Sequence, residues 1–313
     1  MTSLFGLDPA SYTPHAVHRD DRTYSESNCY VDCLVELVRS AGLEPEAMLG
    51  GAAAVDLELD QWTFFKPTSA ELLRLYGIDV HEVQPYRGLL DLAVTRLAAG
   101  QTVMPEVDSF WLPDVASTAY RTEHVKSTIV VEAVDVDARV LRYFHNAGYF
   151  ELSGEDFDGV FAPPQGDRLP TYVELVRFGA RPAPTGPALR GQARALLREH
   201  LDHRPADDPV ERWGAALEEA LPGLLAGSAA DYHQYAFHNP RMLGASMELL
   251  ATHVRWLLGD EAEKAAALLD DVVGGSKMLL FRLARQRAFD VAGIVGPMAG
   301  AYADAFGLLD ELV

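Results

Sequence analysis

Residues 23–42 read TYSESNCYVDCLVELVRSAG, and they hold both cysteines of a 313-residue chain. Val31, Leu34, Val35 and Val38 recur at helical spacing, Ser27 and Asn28 are capping residue types, and Gly42 is a natural stop. The stretch therefore predicts a helix that opens at Cys29. A thiol there meets the partial positive charge of a helix start, and the unpaired N–H groups of that first turn suit an oxyanion. Cys33 lies one turn further in, where those donors are used, and reads as a packed side chain. The competing reading of Cys29 is a small buried hydrophobe.

A free thiol is mostly protonated at neutral pH and needs a base beside it to attack. Of ten histidines, His124 follows a loop and immediately precedes the apolar strand VKSTIVVEAV, a position from which it can reach a helix terminus. His124, Lys126 and Thr128 share one face of that strand. The next strand ends in YFHNAG, where Asn146 is placed to accept the imidazole N–H and fix its tautomer, while His145 would point to the opposite face. Cys29, His124 and Asn146 thus form a candidate catalytic set. Singly, His124 is equally a polar strand-edge residue and Asn146 a turn residue.

Outward from the helix, residues 1–181 mix helical and strand-like segments. Helices are expected at TSAELLRLYG and YRGLLDLAVTRLAAG, then strands through TVMPEVDSFWL, HVKSTIVVEAVDVDARVLRYFHNAGYFEL and TYVELVRFG. Residues 187–313 are rich in Ala, Leu, Glu and Arg and read as helices near 187–203, 208–226, 238–259, 261–274, 276–291 and 294–311. RFGARPAPTGPALRG, with Pro182, Pro184, Gly186 and Pro187, reads as the linker. The expectation is an α+β protein: a catalytic first domain over 1–181 and an all-α domain over 187–313.

The formal charge of −20, from 46 acidic against 26 basic residues, argues against nucleic-acid backbones and anionic membrane surfaces. No stretch approaches 18 consecutive apolar residues, and the first residues lack the pattern of a signal peptide, so a reducing cytoplasm is the expected setting. Two thiols without a CxxC spacing give little support to a zinc site, and His200 with His203 lacks a third ligand, so no bound metal or cofactor is expected.

PEVDSFWLP adds Asp108, placed either to orient a substrate amine or to cap its loop, and Trp111, a core or cleft-wall aromatic. Asn28, Lys126 and Arg241 complete the substrate-binding candidates. Lys126 either faces the cleft or extends into solvent. Lys277, Arg282, Arg285 and Arg287 form a basic run on an acidic chain, either a solvated helix face or a docking patch for an acidic carrier protein or the phosphate of its pantetheine arm.

The order NCYVDCLVELVRSAG, PEVDSFWLP, HVKSTIVVEAVDVD and YFHNAG resembles the papain-like fold of bacteriocin leader peptidases, and in particular the N-terminal domain of butirosin-biosynthesis H-type acyltransferases. The resemblance spans roughly residues 20–180. It departs from that pattern in having Asn146 rather than an aspartate and no glutamine shortly before Cys29. DQWTFFK, FHNAGYFELSGEDFDGVF and MELLATHVRWL make the whole chain similar to a bacterial family of unknown function whose members accompany carrier-protein aminoacylation enzymes. The resemblance implies acyl or aminoacyl transfer from a carrier-protein thioester to a small amine acceptor through a Cys29 acyl-enzyme. The alternatives are a cysteine hydrolase (thioesterase, amidase or peptidase) and a non-catalytic binding protein.

Overall fold

Asn28 starts the first helix: its backbone is extended (φ −142°, ψ 147°) and its side chain accepts the N–H of Val31. One of the four orphan donors of a helix start is satisfied this way. The helix runs Cys29–Ser40, with Val31, Leu34, Val35, Leu37 and Val38 fully buried. The computed structural model describes residues 1–162 and 171–313.

The strands in chain order are β1 (Thr2–Ser3), β2 (Leu57–Glu58), β3 (Gln61–Trp62), β4 (Asp79–Glu82), β5 (Thr102–Asp108), β6 (Lys126–Thr128), β7 (Val130–Asp135), β8 (Val140–His145), β9 (Gly148–Ser153) and β10 (Val173–Arg177). The helices are α1 (Cys29–Ser40), α2 (Ser69–Tyr76), α3 (Leu89–Ala98), α4 (Glu155–Val160), α5 (Pro187–His203), α6 (Pro209–Ala226), α7 (Ala229–Leu258), α8 (Glu263–Leu283) and α9 (Ala292–Leu312). The architecture is α+β: antiparallel sheets in the first half and helices in the second.

Contacts divide the chain into two units. The first comprises Met1–Arg19, Asn28–Pro45 and Thr68–Pro184; the second comprises Asp20–Ser27, Glu46–Pro67 and Thr185–Val313. The segments Asp20–Ser27 and Glu46–Pro67, expected with the first half, thus belong with the helices. The reason is polar anchoring. On α7, Glu248 accepts the backbone N–H groups of Thr23 (3.0 Å) and Tyr24 (2.8 Å), and Arg212 on α6 donates to the Leu57 carbonyl and pairs with Asp56.

In the first unit one antiparallel sheet has the order β1-β7-β8-β9 and another β4-β10-β5-β6. A single residue, Ile129, separates β6 from β7, so the chain crosses from one sheet to the other there. Both sheets contribute to one core that includes Val103, Val107, Leu112, Ile129, Val131, Leu141, Tyr143 and Val173. Burying each such side chain contributes about 1.5–3 kcal/mol before entropy is counted. Helix α1 lies against β6, β8 and β9.

In the second unit α7 pairs with α8, α8 with α9, and α6 with α9. Ser228 caps α7 through the N–H of Asp231, so the helix begins well before residue 238 and carries Pro240 inside it. The expected break at Gly274–Gly275 is not there: α8 is continuous, and a Cβ at Gly275 would sit 2.2 Å from Met298 Cγ on α9. Close helix approach, not chain reversal, is what this glycine serves. Helix α9 is the one described helix long and apolar enough, by length and composition, to cross a membrane. Its buried residues Val295, Met298, Ala301, Tyr302, Ala305, Phe306 and Leu309 recur at helical spacing, the pattern of a bundle helix with one packed stripe.

Candidate functional site

Cys29 is the first residue of α1, unpaired and half-buried. Its backbone N–H has no hydrogen-bond partner among the described residues. Cys33, four residues on and on the same helix face, is sealed: its thiol donates to the carbonyls of Thr128 (3.3 Å) and Phe144 (3.4 Å). Burial pushes the Cys33 thiol well above its usual range, so it stays protonated and inert. Cys29 is thus the accessible thiol of the two, one helical turn nearer the helix mouth.

His124 pairs with a carboxylate and is largely exposed. Strand pairing sets Asp108 opposite Lys126, two residues beyond His124. Asp108 uses both carboxylate oxygens: Oδ1 accepts the Phe110 N–H at 3.1 Å and Oδ2 lies 2.6 Å from His124 Nδ1. It therefore caps the Ser109–Trp111 turn and orients the imidazole at once. A carboxylate at Nδ1 favours the Nδ1–H tautomer of a neutral imidazole and directs Nε2 away from it. The His124 ring stacks on Phe110, with centroids 4.4 Å apart and planes 12° apart, and its side chain is 65% exposed. No hydrogen bond or ion pair joins His124 to Cys29 among the described residues.

Asn146 was expected to orient His124; the structure gives that place to Asp108. Asn146 opens the two-residue turn between β8 and β9, where His145 pairs with Gly148, and it adopts φ 45°. Asparagine tolerates this left-handed conformation, which tight hairpins require. Its backbone N–H is directed to the Cys33 thiol.

The remaining candidates have plain structural partners. Asn28 is the cap of α1. Trp111 packs over Gly159 of α4, where a Cβ would lie 2.0 Å from the indole, and the Arg121 guanidinium lies 4.5 Å from its ring centre. Lys126 forms an exposed ion pair with Glu106. Arg241 belongs to the second unit, where it reaches the Glu26 carbonyl and carboxylate and lies over Phe237 at 5.3 Å.

Two polar networks escaped the sequence reading. His145, expected to point away, is buried, with Nδ1 2.5 Å from Asp114 Oδ2 and Nε2 2.6 Å from the Ser127 hydroxyl. Tyr143 donates to the other Asp114 oxygen, and burial followed by the Asp114 charge holds that phenol protonated. The Ser127–His145–Asp114 line has the order of a nucleophile relay. However, His145 and Asp114 are 1% and 3% exposed, with both imidazole nitrogens occupied. The line ties β6, β8 and the Pro113–Val115 turn together. Thr128 and Phe144, which receive Cys33, are the chain neighbours of Ser127 and His145.

The second network flanks α1 itself. His18 lies between Glu36 (Nδ1 to Oε1, 2.5 Å) and Asp32 (Nε2 to Oδ1, 3.4 Å), all three buried. The Tyr12 hydroxyl and the His15 N–H also reach Glu36. Burial opposes charge on His18, but hydrogen bonds to and charges on the two carboxylates outweigh it and raise its pKa to about 9. Burial likewise opposes charge on Glu36, yet His18 holds it below the usual carboxylate range. Two acids four residues apart inside an otherwise apolar stripe were the available sequence signal.

None of the curated proteins matches the chain. Residues 13–178 match the DUF1839 N-terminal domain and residues 187–311 the DUF1839 C-terminal domain, so the chain belongs to the DUF1839 family.

Proposed function

We propose that the protein is a cysteine-dependent acyltransferase that moves an acyl or aminoacyl group from a carrier-protein thioester to a small amine. One combination carries the reading: a free, half-buried cysteine at the first position of a twelve-residue helix, and in the same unit a solvent-facing imidazole oriented by Asp108. His124 Nε2 takes the proton of the Cys29 thiol, and the thiolate adds to the thioester carbonyl. The Cys29 N–H and the helix start stabilise the oxyanion. Collapse breaks the carbonyl–sulfur bond to the carrier, whose thiolate takes the proton back from His124. The amine then adds to the acyl-cysteine, gives a proton to His124, and expels the Cys29 thiolate, which is reprotonated.

No group beyond the pantetheine arm of the carrier is needed. Lys277, Arg282, Arg285 and Arg287 support the carrier as partner: all four are exposed on or just beyond α8, without ion-pair partners among the described residues, on a chain of net charge −20. Both cysteines are unpaired, as a reducing cytoplasm would keep them. The exposure of His124 also favours a second reading, a hydrolase in which water replaces the amine.

Incubation with an aminoacyl-pantetheine carrier, followed by intact-mass analysis, should give an adduct that maps to Cys29 and is lost in Cys29→Ser. Release by added amines faster than by buffer selects transfer; release at an equal rate selects hydrolysis. The absence of an adduct, with Cys29 alkylating no faster than a free cysteine across pH 6–9, would leave a binding protein.

A further inference from the structure

We propose that a groove on the second unit, between the β2–β3 hairpin and α7, is a binding site for an organic ammonium ion. It lies wholly within that unit and stands independently of the thiol chemistry above. Its volume of about 440 Å³ falls in the range of small-molecule sites. Asp60, Asp231 and Asn239 bring hydrogen-bond acceptors to it; Trp62, Phe64 and Tyr235 give it aromatic walls.

The polar atoms decide the class of ligand. Asn239 is 5% exposed, and its Nδ2 donates to the Asp60 carbonyl at 3.1 Å. A carbonyl only accepts, so the orientation of this amide is fixed and Oδ1 is the atom left over. It has no partner among the described residues. The Asp231 carboxylate accepts only the Ser228 hydroxyl, at 2.6 Å, and neither Asp231 nor Asp60 has a cationic partner among the described residues. Among the described residues no lysine or arginine lines the groove, and its other polar lining residues are Gln61, Gln234 and His238. Two exposed carboxylates and the free amide oxygen thus offer acceptors to a ligand, and an ammonium group brings three donors.

The walls exclude the simpler cations. A bare metal ion gains nothing from three aromatic rings, whereas an alkylammonium gains both apolar contact and attraction to the ring faces. Phe64 is held out in solvent at 62% exposure, a cost that covering by an apolar ligand body removes. A neutral apolar ligand would leave the carboxylates unpaired as water is displaced, and an anion would be repelled.

The test is calorimetric titration of the full chain with 2-phenylethylammonium at pH 7 and low ionic strength, beside 2-phenylethanol and phenylacetate. Saturable 1:1 binding of the ammonium is expected, at least tenfold tighter than the alcohol, with no binding of phenylacetate. Asp60→Asn, Asp231→Asn and Asn239→Leu should each weaken the ammonium at least fivefold. Thermal melting checks that each variant is folded; should one fail to fold, the ranking of the three probes on the native chain decides alone. Absence of saturable ammonium binding, equal affinity for the alcohol, or unchanged affinity in the Asp60→Asn/Asp231→Asn double variant would overturn the proposal.

Discussion

Two histidine–aspartate pairs sit in the same unit at nearly the same separation: His124–Asp108 at 2.6 Å and His145–Asp114 at 2.5 Å. The first imidazole is 65% exposed and the second 1%. One hydrogen bond therefore does two kinds of work. At the surface it holds an exposed ring whose far nitrogen has no partner among the described residues. In the interior the same bond, closed by Ser127, spends every polar atom on holding strands together. Geometry at the carboxylate does not tell an open imidazole from a clasp; the surroundings of the far nitrogen do.

Exchanging the two roles gives the largest expected effects. His124→Ala should lower acyl-adduct formation on Cys29 by about a hundredfold or more with the melting temperature unchanged. His145→Ala should do the reverse in kind. It leaves the Asp114 charge buried without its partner and should cost roughly 3 kcal/mol in urea unfolding. A His124→Ala chain with full activity, or a His145→Ala chain of native stability, would break the contrast.

His18 sharpens it, because here burial and charge coexist. Its pKa is raised from the ordinary 6.5 to about 9 on folding. Its contribution to stability is fully present below about pH 6.5 and is lost as pH rises through 9, on the order of 3 kcal/mol in all. Glu36, held low, has the opposite sign: its contribution is present above its unfolded value and is lost as pH falls. Urea midpoints should therefore decline between pH 6.5 and 9 in the native chain, and His18→Gln should flatten that decline. The smallest effect belongs to Lys126→Ala. Its ion pair with Glu106 is solvated, and its loss should change stability by about 0.5 kcal/mol or less, with adduct formation unchanged.

Much of this architecture could be read in advance, because periodicity is local. The helix opening at Cys29 and the hairpin at Asn146 follow from neighbouring residues, whereas the single strand expected through VKSTIVVEAV is two, β6 and β7, parted at Ile129 because β6 pairs with β5 and β7 with β8. The allotment of Asp20–Ser27 and Glu46–Pro67 to the helical unit is not local either, since it depends on Glu248 binding N–H groups more than 220 positions earlier. Continuity of α8 through two glycines was hidden for a like reason: the residue that fills the space at Gly275 is Met298, on another helix. At the candidate site the start of the helix at Cys29 was legible from residue types, but the partner of His124 was not. Asn146 fitted by order along the chain, whereas Asp108 is opposed through sheet pairing. Asp114 lies in an irregular segment with no period to betray it.

The lone residue between β6 and β7 carries a further consequence. Ile129 is fully buried, and its N–H is bound to the Pro105 carbonyl, so the seam between the sheets has no slack. Two sheets sewn by one stitch cannot fray separately. Loosening the edge that bears Ser127 pulls directly on the centre of the neighbouring sheet, so slow amide exchange should be lost from both in a single event.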